Sequence, residues 1–248
     1  MNSNFIEQYR NAKNRLILLD YDGTLADFKL HPDKAIPSEQ LLKLLEKLNN
    51  KPNTRVIIVS GRSRTSIDKL FHNSSLEMIA EHGAKFKHNN HWNLLVPING
   101  KWKENILPLL NDFSHKFKNI FIEEKETALA WHYRNCKEEI GLIASRELIR
   151  ELEKVTGHLN LKIIDGSKVV EIMSPETSKG KAIQYIVEQS NYDCILCIGD
   201  DRTDEDMFEY LLKNKNALTI KVGQGNTLAK DRFESVKQVV LFLKQLPG

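Results

Sequence analysis

Asp20 and Asp22 stand two residues apart in Asp20-Tyr21-Asp22-Gly23-Thr24. In such a pair one carboxylate can attack an electrophile while the other handles the proton. Three further polar groupings lie along the chain. Ser60-Gly61-Arg62 offers a hydroxyl and a cation, and Ser178-Lys179-Gly180-Lys181 places lysine where a helical pattern opens. Gly199-Asp200-Asp201-Arg202-Thr203-Asp204 adds three more carboxylates. Carboxylates that would repel one another are best reconciled by a hard divalent cation, and Mg²⁺ commonly takes one or two of them with waters and a phosphate oxygen. A lysine and helix N-terminal amides can hold the remaining phosphate charge. The set suits phosphoryl transfer, which depends on positioning and charge neutralisation. Each grouping alone also reads as turn or surface chemistry, Asp-Gly being a turn signal. Their joint occurrence at element ends is what points to a site.

The elements that must carry these groups are legible as apolar runs. Leu16–Leu19, Val56–Val59 and 194–198 read as buried strands, each ending at one of the polar groupings. Ser38 reads as the N-cap of a helix whose leucines recur through Leu48, and shorter helices are expected over 66–71, from Ser178, and through 207–212. The alternation predicts an α/β fold: a Rossmann-like parallel sheet with helices on both faces, its functional groups beyond the carboxyl ends of the strands. From about Pro97 the texture changes. Helices are expected over 102–117 and 140–155, and 127–134 alternates, with Leu129, Trp131 and Tyr133 on one face and Ala130, His132 and Arg134 on the other. Strands 161–164 and 169–173 are expected to join in a hairpin at Asp165-Gly166-Ser167. These features predict a smaller α+β unit over 98–173, inserted into a core made of 1–97 and 174–248.

Composition narrows the function classes. Hydrophobic residues at 41% and charged residues at 28% fit a soluble globular protein. A net charge of +3, with dispersed lysines, gives no footprint for nucleic acid or an anionic membrane. No apolar run reaches the length of a membrane span, and Met1-Asn2-Ser3-Asn4 lacks a signal-peptide core, so a cytoplasmic protein is the expectation. Cys194 and Cys197 form a C-x-x-C, but residues three apart on a strand face opposite ways. Buried core cysteine is the reading.

The four groupings in order, DYDGT, SGR, the lysine of SKGKA and GDD-R-TD, resemble the haloacid dehalogenase-like phosphatase superfamily. More narrowly, the chain resembles trehalose-6-phosphate phosphatases, through DYDGTLADF with HPDKAIP, VIIVSGR, AEHGA, IEEK with WHYR, VVEIMSPETSKGKA, GDDRTDEDMF and KVGQGNTLA. The resemblance implies that Asp20 is the nucleophile, and that Asp22 protonates the leaving sugar oxygen and then activates water. It further implies that Ser60 bonds the phosphoryl group and Lys179 neutralises charge. Mg²⁺ would be held by Asp20, the main-chain carbonyl of Asp22, and Asp200, with Asp204 supporting and Asp201 an open alternative. The inserted unit would be a mobile cap that excludes water and admits a sugar phosphate. Its expected substrate contacts are Glu123, Lys125, His132, Arg134 and Glu171, joined by Arg62, Glu81 and His82 from the core. Related capped phosphatases acting on mannosyl-3-phosphoglycerate or sucrose phosphate, and a sugar-phosphate sensor without turnover, are the alternatives. The chain departs from the pattern at Ser63, where proline commonly follows the SGR triplet.

Overall fold

The computed structural model describes residues 3–72 and 74–247; Met1 and Asn2, part of the stretch read above for a signal core, lie outside them. In chain order the first elements are α1 (Ser3–Asn11), β1 (Arg15–Asp20), α2 (Glu39–Asn49), β2 (Thr54–Val59), α3 (Arg64–Leu70), β3 (Glu77–Ala80), β4 (Lys85–His88) and β5 (His91–Leu94). There follow α4 (Lys103–Lys116), β6 (Phe121–Glu124), β7 (Ala128–His132), α5 (Glu138–Thr156), β8 (Lys162–Gly166) and β9 (Val169–Met173). The chain then continues through α6 (Lys179–Val187), β10 (Cys194–Gly199), α7 (Glu205–Leu211), β11 (Ala217–Val222), β12 (Asp231–Phe233) and α8 (Val236–Gln245).

The chain divides into two compact units, one formed by the chain up to Leu95 together with the chain from Ser178, the other by Val96–Thr177. The first is built on an eight-stranded sheet ordered β12-β11-β10-β1-β2-β3-β4-β5. From β12 to β3 the pairing is parallel. Its central strands are apolar on both faces because both are covered. Ile17, Leu19, Val56, Ile58, Leu196 and Ile198 face α1, α2, α3 and α8, while Leu16, Leu18, Ile57, Val59 and Ile195 face α6 and α7. Cys194 joins the first cluster and Cys197 the second, so the two thiols lie on opposite sides of the sheet. Burial pushes both thiols up from their ordinary pKa.

The sheet is not parallel throughout. β4 and β5 add an antiparallel hairpin beyond β3. Its turn is Asn89-Asn90, both at positive φ (50° and 62°), the backbone that two-residue hairpins require and that Asn tolerates.

The second unit pairs a four-stranded antiparallel sheet, β6-β7-β9-β8, with α4 and α5 on one face. Leu129, Trp131 and Tyr133 enter that core, as the alternation predicts, against Ile106, Leu110, Leu148 and Leu152. Trp131 Nε1 donates to Ser114 Oγ at 3.0 Å, which satisfies the polar end of the largest core side chain. The β8–β9 turn falls at Ser167-Lys168 rather than Asp165-Gly166-Ser167. Ile163 pairs with Ile172 so that both meet the core, and this register forces Lys168 to positive φ (60°) while leaving Gly166 in the strand. The unit is slightly wider than 98–173, because the segment after β9 is retained by Lys162, whose ammonium donates to the Thr177 carbonyl. No described helix is long and apolar enough to cross a membrane.

Candidate active site

Three neighbouring parallel strands, β10, β1 and β2, end side by side and bring their polar tails to one edge of the sheet. Asp20 is the last residue of β1 and is 4% exposed. Tyr21 turns into the core, its hydroxyl donating to the Ala35 carbonyl at 2.6 Å and its ring edge-on to Phe71. Lys179 is the first residue of α6, which is capped by Ser178: the serine oxygen accepts from the Gly180 and Lys181 amides and its hydroxyl donates to Asp206.

The Lys179 ammonium stands 2.7 Å from both Asp20 Oδ1 and Asp204 Oδ1, a buried triad. Burial alone would lower the lysine pKa, but the two carboxylates outweigh it and raise the pKa well above its ordinary value. Asp204 is fully buried: Oδ1 accepts from Lys179, and Oδ2 accepts the amides of Asp200 and Asp201 at 2.9 Å each. It shapes the turn and fixes the lysine. Asp201 is also committed, its carboxylate capping the following turn through the Arg202 amide at 2.6 Å. Of the adjacent pair, Asp200 is therefore the one that enters the acidic cluster.

Oxygens of Asp20, Asp200 and Asp204 lie within 4.8 Å of one another. The second oxygen of Asp20 is buried with no hydrogen-bond partner. Burial first, and the Asp204 carboxylate second, push the Asp20 carboxyl above its ordinary pKa. Burial, then Asp20, Asp204 and Asp201, do the same to Asp200. One lysine does not balance this charge, and an orphaned buried carboxylate oxygen is the partner a hard cation takes. The residues fit Mg²⁺, with Asp20 and Asp200 to hold it. The fit is close: Gly23 sits at φ +87°, and a Cβ there would fall 2.1 Å from Asp200 Oδ2.

A raised carboxyl pKa means the folded chain binds more protons than the unfolded one above the ordinary carboxylate range near pH 4. Stability is lost as pH rises through that window. In EDTA, Asp200→Asn is expected to be more stable than the parent at neutral pH, by at least about 1 kcal/mol or about 2–4 °C. The advantage should vanish near pH 4. Equal melting temperatures at pH 7 by calorimetry would contradict it.

Asp22 lies outside this trio. Arg62 grips both its oxygens, Nε to Oδ2 at 2.7 Å and Nη2 to Oδ1 at 2.6 Å, and also donates to the Pro32 carbonyl and packs over the Tyr21 ring. Ser60 is buried and its oxygen accepts the Arg62 amide at 3.1 Å. Glu81 and His82 follow β3 with positive φ (50° and 53°), an uncommon backbone for such side chains. Their amides donate to the carbonyls of Arg62 and Ser60, and both side chains are buried. The His82 ring fills the space over Gly61, where a Cβ would be 2.3 Å from it. Glu81 stands 3.4 Å from Lys85.

In the second unit, Glu123 and Glu171 flank Ala130 across β6, β7 and β9 and so share the face away from α4 and α5. Lys125 bonds Glu171 at 2.5 Å, both buried. His132 bonds Glu123 at 3.0 Å and stacks on Phe121 at 4.4 Å. Burial acts upward on the Glu123 pKa, yet the His132 bond and the Lys125 charge hold it below its ordinary value. Arg134 sits apart from this row, donating to Ser167 on the β8–β9 turn.

Sequence reasoning had no role for Asp206, Glu205 or Lys221. The signal for the last was a lysine inside KVG at the end of β11, next to β10.

Residues 18–237 match the family model described as trehalose-phosphatase. The chain belongs to the trehalose-phosphatase family. It is 38% identical over 239 residues to a bifunctional trehalose-6-phosphate synthase/phosphatase of Thermoproteus tenax, covering 96% of this chain and 32% of that protein. It is 33% identical over 230 residues to a trehalose-phosphatase of Zygosaccharomyces rouxii, covering 83% of this chain and 26% of that one. The chain thus spans only 26–32% of the length of these relatives. Among solved structures, the C-terminal domain of C. albicans trehalose-6-phosphate phosphatase superposes with a TM-score of 0.91 at 28% identity, over 98% of this chain and 95% of that one. A haloacid dehalogenase-like hydrolase from B. subtilis, 16% identical with a TM-score of 0.63, shares the fold. The matched family is described by its phosphatase activity, a hydrolase chemistry.

Proposed function

We propose that this chain is a Mg²⁺-dependent phosphatase that releases trehalose and phosphate from trehalose 6-phosphate through a phosphorylated Asp20. The observation that carries the proposal is the environment of Asp20: Oδ1 is bound by a buried lysine, while Oδ2 is buried without a partner beside Asp200. An Asp20 oxygen forms a bond to phosphorus as the bond from phosphorus to the sugar O6 breaks. Asp22 gives its proton to O6, then accepts one from the water that attacks phosphorus and restores Asp20. Because Arg62 holds both Asp22 oxygens, Asp22 must exchange that partner before it carries a proton. Lys179 works against the burial that raises the Asp20 pKa and offsets phosphate charge, and Ser60 donates to a phosphoryl oxygen. Bound Mg²⁺ would supply the charge that lets a dianionic phosphate approach a carboxylate.

The second unit, read as the cap over 98–173, supplies selectivity in this proposal. Charged oxygens and an ammonium on one sheet face, with the His132–Phe121 stack beside them, suit sugar hydroxyls and a sugar ring face. Glu171→Ala or Lys125→Ala is expected to lower kcat/KM for trehalose 6-phosphate about tenfold, ~1.4 kcal/mol, and to leave a small aryl phosphate nearly unaffected. Equal losses on both substrates would remove these residues from selectivity.

The test of the whole reading is phosphate release with Mg²⁺ and with EDTA from trehalose 6-phosphate, glucose 6-phosphate, sucrose 6-phosphate and mannosyl-3-phosphoglycerate. Mg²⁺-dependent preference for trehalose 6-phosphate is expected. Preference for another member would reject the substrate, and tight binding without release would reject the enzyme.

A further inference from the structure

We propose that Lys221 is a positioning residue for the bound cation, acting by fixing the main chain at Asp200 under a brace from Glu205. The inference rests on the reading of the Asp20–Asp200 cluster as a cation site.

Lys221 lies on β11 directly beside Gly199 of β10, one residue before Asp200. Ile220 and Val222 point into the apolar core on one side of the sheet, so Lys221 points to the other side, the face that buried Thr219 shares. Taking an ammonium out of water costs several kcal/mol unless its new partners replace the lost solvation. Lys221 is 5% exposed, so what it touches identifies what it is for. Its Nζ donates to the main-chain carbonyl of Asp200. Glu205 stands close by, its Oε1 3.8 Å from the ammonium and its Oε2 accepting the Leu228 amide at 2.8 Å. Glu205 is thereby tied to the loop after β11 while facing the lysine.

Asp200 is consequently held at both ends of its main chain. Its N–H is taken by Asp204 Oδ2 and its carbonyl by Lys221. Its side chain then lies against the Cα of Gly23, in a space too small for even a methyl group. With no slack there, a shift of the peptide moves the carboxylate relative to Asp20. Partners that orient a ligand without touching the metal commonly change metal affinity by about 10- to 100-fold when removed. The opposite sign is equally definite. If Lys221 acted only as a nearby positive charge, its removal would tighten cation binding.

The experiment is calorimetric titration of Mg²⁺ into the parent chain, Lys221→Met and Glu205→Gln, with melting temperatures of all three in EDTA. The parent is expected to bind Mg²⁺, Lys221→Met to bind it about 10- to 100-fold more weakly, and Glu205→Gln to weaken it by less. At saturating Mg²⁺ the kcat of both variants should recover and KM for the sugar phosphate should stay unchanged. Unchanged or tighter Mg²⁺ binding in both variants, with lower melting temperatures, would show a purely structural role and overturn the proposal. If Lys221→Met does not fold, Glu205→Gln decides the matter by the same comparison. A parent chain that binds no Mg²⁺ would overturn the cation site itself, and this inference with it.

Discussion

Asp20→Asn is expected to reduce turnover by more than about 100-fold, ~2.7 kcal/mol of lost transition-state stabilisation, while the chain stays folded. The amide keeps the shape of the carboxylate but not its charge or its capacity to form an acyl phosphate. Stability should not fall with activity, because the Asp20 carboxyl is pushed up by burial and by Asp204, and a neutral amide relieves that repulsion. Single-turnover kinetics with acid quench give the direct reading. The parent should accumulate protein-bound phosphate, and the variant should show none. More than about one hundredth of parental activity in the variant would contradict the covalent route.

Lys179→Met is expected to act on the fold as well as on the chemistry. The ammonium is 3% exposed and is shared by two carboxylates that are themselves buried. Removing one member of a buried ionic group leaves the others uncompensated, at a cost of about 3–5 kcal/mol. Protonation of Asp20, whose carboxyl is already pushed above its ordinary pKa, would relieve the strain, so the loss should be largest at neutral pH and smaller in acid. Denaturant titration at pH 7 and pH 5 measures both. A midpoint unchanged at pH 7 would mean the triad is not held in solution as described. Lys179→Met combined with Asp204→Asn should recover part of the stability and none of the activity, which separates the two roles of the lysine.

The core was largely readable because its strands are unbroken apolar runs that end in polar groups. A strand covered on both faces must look that way, and Leu16–Leu19 or 194–198 could hardly be anything else. The alternation through 127–134 likewise announced which side of β7 is buried. What escaped were facts decided by distance rather than by pattern. The Asn89-Asn90 turn carries a hairpin signal, yet nothing in the short, mixed strands beside it marks a sheet edge. Asp200, Asp201 and Asp204 look alike in sequence, and only the fold shows that Asp200 and Asp204 join the acidic cluster while Asp201 caps a turn. Arg62 gives no sign in sequence of its grip on both oxygens of Asp22. Glu81 and His82 give no sign in sequence of their left-handed backbone, which is imposed by the loop they stitch. Lys221 is one lysine among many until its nitrogen is found on a main-chain oxygen.

The second unit is encoded by one uninterrupted stretch, Val96–Thr177, while Asp20, Asp22, Ser60, Lys179 and Asp200 all lie outside it. Under the proposed division of roles, this arrangement has a genetic consequence. Mutations within that stretch can alter which molecule is accepted without touching the groups that break the bond. A duplicated gene could therefore acquire a new substrate by drift or recombination within a single internal segment, with its reactive machinery inherited intact.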